Sequence, residues 1–161
     1  TRMPYNMFIQ GKRPMTTSFA DYVAQQDARN TIQLNVRKWT LMLCDALKQN
    51  YIERSIKHHK ISIAAGNEVN DYHKNAIEAL KNGESDYDFF IEEGRKYFKI
   101  VMDARGSHSV HAFVDRKTGE VYKAASFKAP AKHVRFDLRI IEQREWVLEN
   151  CDWSGGYLYM K

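Results

Sequence analysis

The sequence predicts an α+β fold, with helices first and an antiparallel β-meander and a C-terminal helix after them. Apolar residues recur at three-to-four spacing in the first half of the chain, and this period changes to alternation after Gly83. Turn residues, chiefly glycine, separate the alternating segments. Helices grouped ahead of strands are typical of α+β architecture rather than of alternating α/β folds.

The predicted domain organisation is simple. At 161 residues the chain is long enough to bury a core as one domain. Residues 1–17 contain two prolines and few periodic apolar residues, which predicts an irregular arm. We expect a single α+β domain over 18–161, helical over 18–82 and built from an antiparallel sheet plus a helix over 88–161.

Three helical segments are predicted ahead of the strands. Ser18, followed by an acidic residue in the first turn, predicts the start of a short helix. A longer helix is predicted over 31–64, where apolar side chains share one face, and Gly66 ends it. A third helix is predicted over 67–82, with Gly83 at the position that favours a left-handed stop.

The second half of the chain predicts a meander. Alternating segments predict strands at 88–92, 96–102, 109–115 and 120–124, and a fifth at 134–138. A helix is predicted over 140–149. The two glycines after Trp153 predict a turn that leads into a short C-terminal strand. We expect Phe98, Phe113 and Phe136 in the core.

Charge is distributed unevenly along the chain. The formal net charge is +5, but residues 1–60 and 95–139 carry balances of +6 and +7, whereas 61–94 carries −6. Basic regions attract polyanions because binding releases the condensed counterions. The acidic block predicts either a face for a protein partner or a means of keeping nucleic acid to one side.

Motifs for catalysis are absent from the sequence. There is no phosphate-binding loop, dinucleotide fingerprint or Gly-x-Ser-x-Gly elbow. His58 and His59 point about 100° apart on a helix, and His108 and His111 are expected on opposite faces of a strand. Cys44 lies in an apolar run and is expected to be a buried thiol. We therefore expect no enzyme activity, no metal and no cofactor.

The same sequence gives an expectation for location. Two isolated cysteines do not form a disulfide framework, and no apolar run approaches the roughly 20 residues that span a bilayer. The first residues lack the apolar segment of a signal peptide. We expect a reducing, intracellular compartment and no membrane partner.

Cations interleaved with aromatic residues between 95 and 139 are the main functional signal. This combination binds single strands, because cations follow the phosphates and exposed rings stack on bases. Tyr97 and Tyr122 are expected to share the solvent face of the sheet, and Phe127 to be either a lid on the core or a stacking platform. Cations on the predicted 31–64 helix favour the same partner. The candidate nucleic-acid-binding residues are Arg95, Lys96, Tyr97, Lys99, Arg105, Lys117, Tyr122, Lys123, Phe127, Lys128, Lys132, Arg135, Lys57 and Lys60.

Two strings of residues resemble a small-protein family of short-tailed bacteriophages. Within the stretch 96–138, residues 109–132 read SVHAFVDRKTGEVYKAASFKAPAK, and residues 153–159 read WSGGYLY. They resemble the Drc-type single-stranded DNA-binding cofactors of the RNA polymerase of N4-related phages. The resemblance implies a fold that is not an OB barrel, DNA binding, recruitment of the phage RNA polymerase to opened promoters, and the host cytoplasm as location. It assigns no site residue.

The leading hypothesis is a non-catalytic, sequence-tolerant single-stranded DNA-binding protein of phage transcription. One alternative is a protein–protein interaction factor, such as a polymerase inhibitor or a virion component, which the acidic block favours. The other is a nuclease or nucleotide-modifying enzyme that uses His108 and His111. A long helix with charges of both signs nearby is also compatible with a homo-oligomer.

Overall fold

The computed structural model describes residues 18–159. The chain divides into two compact units, one ending at Thr31 and the other beginning at Ile32. The predicted irregular arm, 1–17, lies outside the described residues. Residues 18–159 form three α-helices, five β-strands and one 3₁₀ turn, which is the predicted α+β arrangement.

The first helix, α1, runs over Phe19–Ala64. The predicted short helix and the predicted 31–64 helix are one element, because no glycine or proline interrupts the chain between them. The Ser18 hydroxyl accepts a hydrogen bond from the N–H of Asp21 at 3.1 Å, as an N-cap does. Gly66, at a φ of 79°, follows the end of the helix.

The second helix, α2, covers Tyr72–Lys81 and begins later than predicted. Asp71, just ahead of it, has a φ of 59°, so helical backbone cannot extend further back. The Glu68 carboxylate accepts hydrogen bonds from the N–H groups of His73 at 2.8 Å and Lys74 at 3.3 Å. These bonds satisfy donors of the first turn that have no partner within the helix.

The sheet is an open antiparallel meander in which each strand pairs with the next in sequence. Its strands are β1 (Tyr87–Glu93), β2 (Tyr97–Ala104), β3 (Ser107–Asp115), β4 (Glu120–Lys123) and β5 (Phe136–Asp137). The third helix, α3, covers Ile141–Asn150. The sheet does not close on itself, so the fold is not a barrel.

The two faces of the sheet have different roles. We call the side that packs against α1 and α3 the helix face, and it carries Phe98, Ile100, Val114 and Val121. These side chains form the core with Val36, Leu43, Leu47, Leu138, Val147 and Leu158. The opposite side, which we call the outer face, carries Tyr97, Lys99, Phe113 and Tyr122, because side chains alternate along each strand.

A β-bulge interrupts this alternation in β3. The register between β2 and β3 shifts after Ile100, so that Val101 pairs with Val110 and His111 is the extra residue. The His111 ring therefore turns to the helix face, where it stacks on Tyr157 with ring centres 5.6 Å apart.

The end of the described chain differs from the prediction. The expected C-terminal strand is a 3₁₀ turn, Gly156–Leu158. The Asp152 carboxylate accepts hydrogen bonds from the N–H groups of Gly156 at 3.2 Å and Tyr157 at 3.3 Å, which favours the turn over an extended strand. No helix within residues 18–159 combines the length and apolar character needed to cross a membrane.

Candidate nucleic-acid interface

Four rings meet on the outer face, and we call them the aromatic cluster: Tyr97, Phe113, Tyr122 and Phe127. The ring centres of Tyr97 and Phe113 are 5.6 Å apart and those of Tyr97 and Tyr122 are 6.1 Å apart, both edge-on. Tyr97 and Tyr122 thus share a face, as the alternation predicts. Phe113 is buried, as expected, but it lies between these two tyrosines and not beside Phe98 on the helix face.

Phe127 is the most exposed ring of the cluster. It lies in the loop 125–133 and is 48% exposed. The ammonium group of Lys99 lies 4.4 Å from its ring centre, which fixes the ring against the outer face. Phe127 therefore covers the sheet and still presents about half of its surface to solvent.

Lys99 is already engaged within the protein. Its side chain is only 16% exposed, and its Nζ lies 3.6 Å from Oε1 of Glu92. The same nitrogen lies 5.8 Å from the ring centre of Phe113 as well as over Phe127. Lys99 thus positions the aromatic cluster rather than offering a free charge to a phosphate.

Three exposed cations lie at one end of the sheet, and we call them the turn cations: Arg95, Lys96 and Lys117. The β1–β2 and β3–β4 turns share that end because successive strands are antiparallel. Arg116 ties the turns together, since its N–H donates to the carbonyl of Lys96 at 3.0 Å. Nζ of Lys96 lies 5.3 Å from the ring centre of Tyr97, so the turn cations border the aromatic cluster.

Two further exposed cations, Lys128 and Lys132, lie in the Phe127 loop, and we call them the loop lysines. The loop has a defined conformation. The Ser126 hydroxyl accepts hydrogen bonds from the N–H groups of Lys128 and Ala129, both at 3.2 Å. The loop lysines are therefore presented on the same segment as the exposed phenylalanine.

Arg135, a predicted contact for nucleic acid, has a structural role. Its guanidinium donates hydrogen bonds to the carbonyls of Leu158 at 2.6 Å, Lys132 at 2.7 Å and His133 at 2.6 Å. These bonds tie the Phe127 loop to the end of the chain. The donors are engaged with backbone, so Arg135 is not placed to be a main phosphate contact.

Four other predicted residues lie away from the aromatic cluster: Arg105, Lys123, Lys57 and Lys60. Arg105 is in the β2–β3 turn, at the opposite end from the turn cations, and its Nε is 2.6 Å from Oδ2 of Asp86. Lys123 points to the helix face, with Nζ 4.9 Å from the ring centre of Tyr159. Lys57 and Lys60 are exposed on α1, which packs against that same helix face.

Carboxylates at one side of the cluster limit where a phosphate can lie. The Tyr122 hydroxyl donates to Oε1 of Glu120 at 3.4 Å. Burial, and then the charge of Glu120, raise the pKa of Tyr122 above its usual value. Because a carboxylate repels phosphate, a polyanion at this face would meet less repulsion beside the turn cations and the loop lysines than over Glu120.

The groups considered for catalysis do not form a common site. Burial raises the pKa of Cys44 to about 12 and that of Cys151 to about 11, so neither is a thiolate near neutral pH. His108 lies 3.6 Å from Asp103, whereas His111 is on the helix face of the sheet. Residues 18–159 contain no group of three or more histidine, cysteine or carboxylate side chains arranged to hold a metal ion.

A second concave site, between α1 and α2, was missed by reasoning from the sequence. Tyr51, Tyr87 and Trp153 meet there beside a cavity of about 750 Å³. One sequence feature indicates this site: Tyr51, Arg54 and His58 are spaced at i, i+3 and i+7, which puts them on one face of a helix. Tyr87 and Trp153 come from distant segments, and only the tertiary packing brings them to this face.

Comparison with known proteins places the chain in a family without assigning it an activity. No curated protein and no solved structure matches it. A family model, described as a family of unknown function (DUF7717), matches residues 19–160. Since that match covers nearly the whole chain, the protein belongs to the DUF7717 family.

Proposed function

We propose that this protein binds single-stranded DNA without catalysing a reaction. Bases stack on the aromatic cluster at Phe127, and phosphates lie against the turn cations and the loop lysines. A role as cofactor that recruits the phage RNA polymerase to opened promoters in the host cytoplasm belongs to the same proposal. That role rests on the resemblance of residues 109–132 and 153–159 alone.

The observation that carries the proposal is the half-exposed Phe127 ring, held over Lys99 and on the same loop as the exposed loop lysines. A fixed ring of this kind offers a stacking surface that every base can use, which suits sequence-tolerant binding. Bases within a duplex are already stacked on one another, so the same ring favours a single strand over duplex DNA.

The cations near Phe127 are available to a polyanion. Within residues 18–159, no ion pair involves Arg95, Lys96, Lys117, Lys128 or Lys132. Unpaired cations can neutralise phosphates and release their counterions, which is the main source of sequence-independent affinity.

The stacking role is tested with Phe127→Ala. Loss of one base–aromatic stack costs about 1–3 kcal/mol, so the Kd for a labelled oligonucleotide should rise by about 5- to 150-fold. Phe127→Trp should retain the affinity, because it keeps a flat ring at that position. Fluorescence anisotropy at low salt measures all three proteins.

Trp146→Ala is the matched control. Trp146 on α3 is 46% exposed, close to the exposure of Phe127, and lies outside the aromatic cluster. Its substitution should leave the Kd within about twofold. Equal affinity of Phe127→Ala and the parent protein, or an equal loss in Trp146→Ala, would contradict the proposal.

Recruitment of polymerase is tested separately, with purified phage RNA polymerase and a promoter held open by a mismatched bubble. The expected result is more polymerase on the bubble in the presence of the protein, and less with Phe127→Ala than with the parent. Unchanged polymerase occupancy would remove the cofactor role and leave the DNA-binding proposal intact.

A further inference from the structure

The cavity between α1 and α2 has the size of a small-molecule site. It is an open concavity of about 750 Å³, within the roughly 300–1,000 Å³ typical of ligand pockets. One wall is the α1 stripe that carries Tyr51, Arg54 and His58, and the opposite wall is α2. Ala76 and Ala79 line the α2 side, and their small side chains leave the space open.

Three aromatic residues, Tyr51, Tyr87 and Trp153, line this cavity, and we call them its floor. Tyr51 and Tyr87 are stacked, with ring centres 4.2 Å apart and an angle of 11° between the planes. Trp153 meets both rings edge-on, at 5.4 Å and 5.5 Å. The Arg105 guanidinium lies 5.8 Å from the Tyr87 ring centre, so the rings present mainly their edges and the free face of Tyr51. Aromatic side chains in a pocket favour an aromatic ligand.

Hydrogen bonds hold the floor in place. Oδ1 of Asp86 accepts from the Tyr51 hydroxyl at 2.9 Å, and Oδ2 accepts from Nε of Arg105 at 2.6 Å. The side-chain oxygen of Asn50 accepts a hydrogen bond from the backbone N–H of Trp153 at 2.9 Å. The site is thus formed before any ligand arrives, which lowers the entropic cost of binding.

The charged residues around the cavity indicate which polar groups a ligand would carry. Arg105 is engaged by Asp86, but within residues 18–159 no ion pair involves Arg54, which is exposed one turn from His58. A guanidinium binds phosphate through two parallel hydrogen bonds. Glu84, an exposed residue of the cavity lining, offers an acceptor for the amino group of a base.

We infer that the α1–α2 cavity binds a nucleotide, with the base against Tyr51, Tyr87 and Trp153 and the phosphate at Arg54. The ligand is either a free nucleoside monophosphate or the terminal nucleotide of a strand, since both present the same base and phosphate. This site is on the helix side of the molecule and does not depend on the proposed DNA binding at Phe127.

The test is calorimetric titration of the full chain with deoxyadenosine 5′-monophosphate, deoxyadenosine and inorganic phosphate. The monophosphate should bind at least about tenfold more tightly than either part, because it engages both the rings and Arg54. Arg54→Gln should weaken monophosphate binding by about tenfold or more. Lys81→Gln, an exposed cation on α2 outside the cavity lining, should leave it unchanged.

Two further variants separate this site from the outer face and from loss of fold. Ala79→Leu fills the cavity and should abolish monophosphate binding while thermal unfolding still shows a folded protein. Phe127→Ala should leave monophosphate binding unchanged. A 5′-phosphorylated oligonucleotide that displaces the monophosphate identifies a strand end as the ligand, and lack of displacement identifies the free nucleotide.

The inference is overturned by any of three results. These are the absence of binding heat at millimolar monophosphate, equal weakening by Arg54→Gln and Lys81→Gln, or weakening by Phe127→Ala with no effect of Arg54→Gln. Failure of Phe127→Ala to weaken oligonucleotide binding would affect only the proposed function.

Discussion

His111 is a histidine held neutral by its surroundings. Its Nε2 lies 2.8 Å from the Tyr157 hydroxyl, and Phe89 meets its ring edge-on at 5.6 Å. Burial lowers the pKa of His111 to about 4, although the nearby Asp152 carboxylate acts in the opposite direction. The imidazole therefore serves packing and hydrogen bonding in the core and is not a proton-transfer group near neutral pH.

The free energy of unfolding should be lower in acid because of His111. The pKa of His111 is 6.5 when unshifted and about 4 in the folded protein, so between these values the unfolded chain binds a proton that the folded protein does not. The free energy of unfolding should decrease as pH falls from about 6.5 to about 4, by roughly 3 kcal/mol at most, and change no further from this group below that. Urea unfolding across this range measures the effect.

His111→Gln should flatten this part of the pH profile, whereas His108→Gln, at an exposed position on the same strand, should retain it. If the parent and His111→Gln lost the same free energy over the range, burial of the His111 imidazole would not be the source of the acid sensitivity.

At the scale of elements, the meander brings distant cations together. Arg95 and Lys96 belong to the β1–β2 turn and Lys117 to the β3–β4 turn, and the backbone bond from Arg116 to Lys96 joins the two turns. The turn cations therefore form one charged end of the sheet although they are separated in sequence.

A double variant tests this end of the sheet. Lys96→Gln combined with Lys117→Gln should reduce the steepness of log Kd against log salt by about 1.4 for single-stranded DNA, since each phosphate contact contributes about 0.7. Lys74→Gln combined with Lys81→Gln, on α2, should leave the slope unchanged. Equal slopes for the two double variants would show that the turn cations do not contact phosphates.

The contact between α1 and α2 includes an unusual pair of imidazoles. Nδ1 of His59 lies 2.7 Å from Nδ1 of His73, so a single proton lies between the two nitrogens and double protonation breaks the bond. Burial and then the charge of His73, followed by that of His58, lower the pKa of His59, while Glu68 acts in the opposite direction. This pair is positioned to couple the docking of α2 to pH.

At acid pH, local unfolding of α2 should become more frequent. Because the pKa of His59 in the folded protein is lowered below 6.5, the stabilisation is present above that pH and is lost as pH falls towards the lowered pKa. Amide hydrogen exchange within Tyr72–Lys81, corrected for the intrinsic rate, should be faster at about pH 5 than at about pH 7.5. His73→Phe should remove this difference, and an unchanged difference in that variant would exclude the imidazole pair as its cause.

At the scale of the whole molecule, the acidic block is partly neutralised within the chain. Four of its carboxylates form ion pairs with cations of the two basic blocks: Glu93 with Arg37, Asp88 with Lys48, Glu92 with Lys99 and Asp86 with Arg105. Ion pairs at the surface contribute about 0–1 kcal/mol each, and in all four of these pairs the carboxylate is solvent-accessible, so their main effect is on local charge. The acidic block therefore does not by itself call for a protein partner, and the turn cations and the loop lysines are not among the cations that it neutralises.

Removal of one of these acids should strengthen DNA binding. Glu92→Gln releases Lys99 and takes a negative charge from the outer face, so oligonucleotide affinity at low salt should rise by about two- to fivefold. Glu78→Gln, an exposed acid of the same block on α2, should have a smaller effect because it is remote from the aromatic cluster. Weaker binding by Glu92→Gln would show that Lys99 must be held by Glu92 to support Phe127.

The general fold could be predicted from the sequence because local patterns determine most of it. The alternation of side chains locates β1 to β4 within a few residues, and capping residues such as Ser18 mark helix ends. The C-terminal strand was predicted wrongly because Asp152 binds the following backbone, an interaction that alternation does not reveal. The continuity of α1 follows from the lack of a helix-breaking residue.

The candidate site was predictable only in outline. Charge and residue type locate cations and rings between 95 and 139, but they do not show which cations are already paired. Lys99, Arg105 and Arg135 are held by Glu92, Asp86 and backbone carbonyls, respectively. The α1–α2 cavity depends on Tyr87 and Trp153 reaching Tyr51, a long-range packing arrangement that no local periodicity encodes.

Because of the bulge in β3, deletion of one residue should disturb the strand less at some positions than at others. Because His111 is the residue that the β2–β3 ladder does not need, a gene that lost this codon would leave Val110 and Ala112 paired as they are, each on its present face. Loss of Ala112 would have the same effect, because His111 would take its helix-face position, whereas loss of a codon elsewhere in the strand would reverse the side chains between the gap and the bulge. Among members of the family, a missing residue in this hairpin is therefore expected at position 111 or 112 before any other.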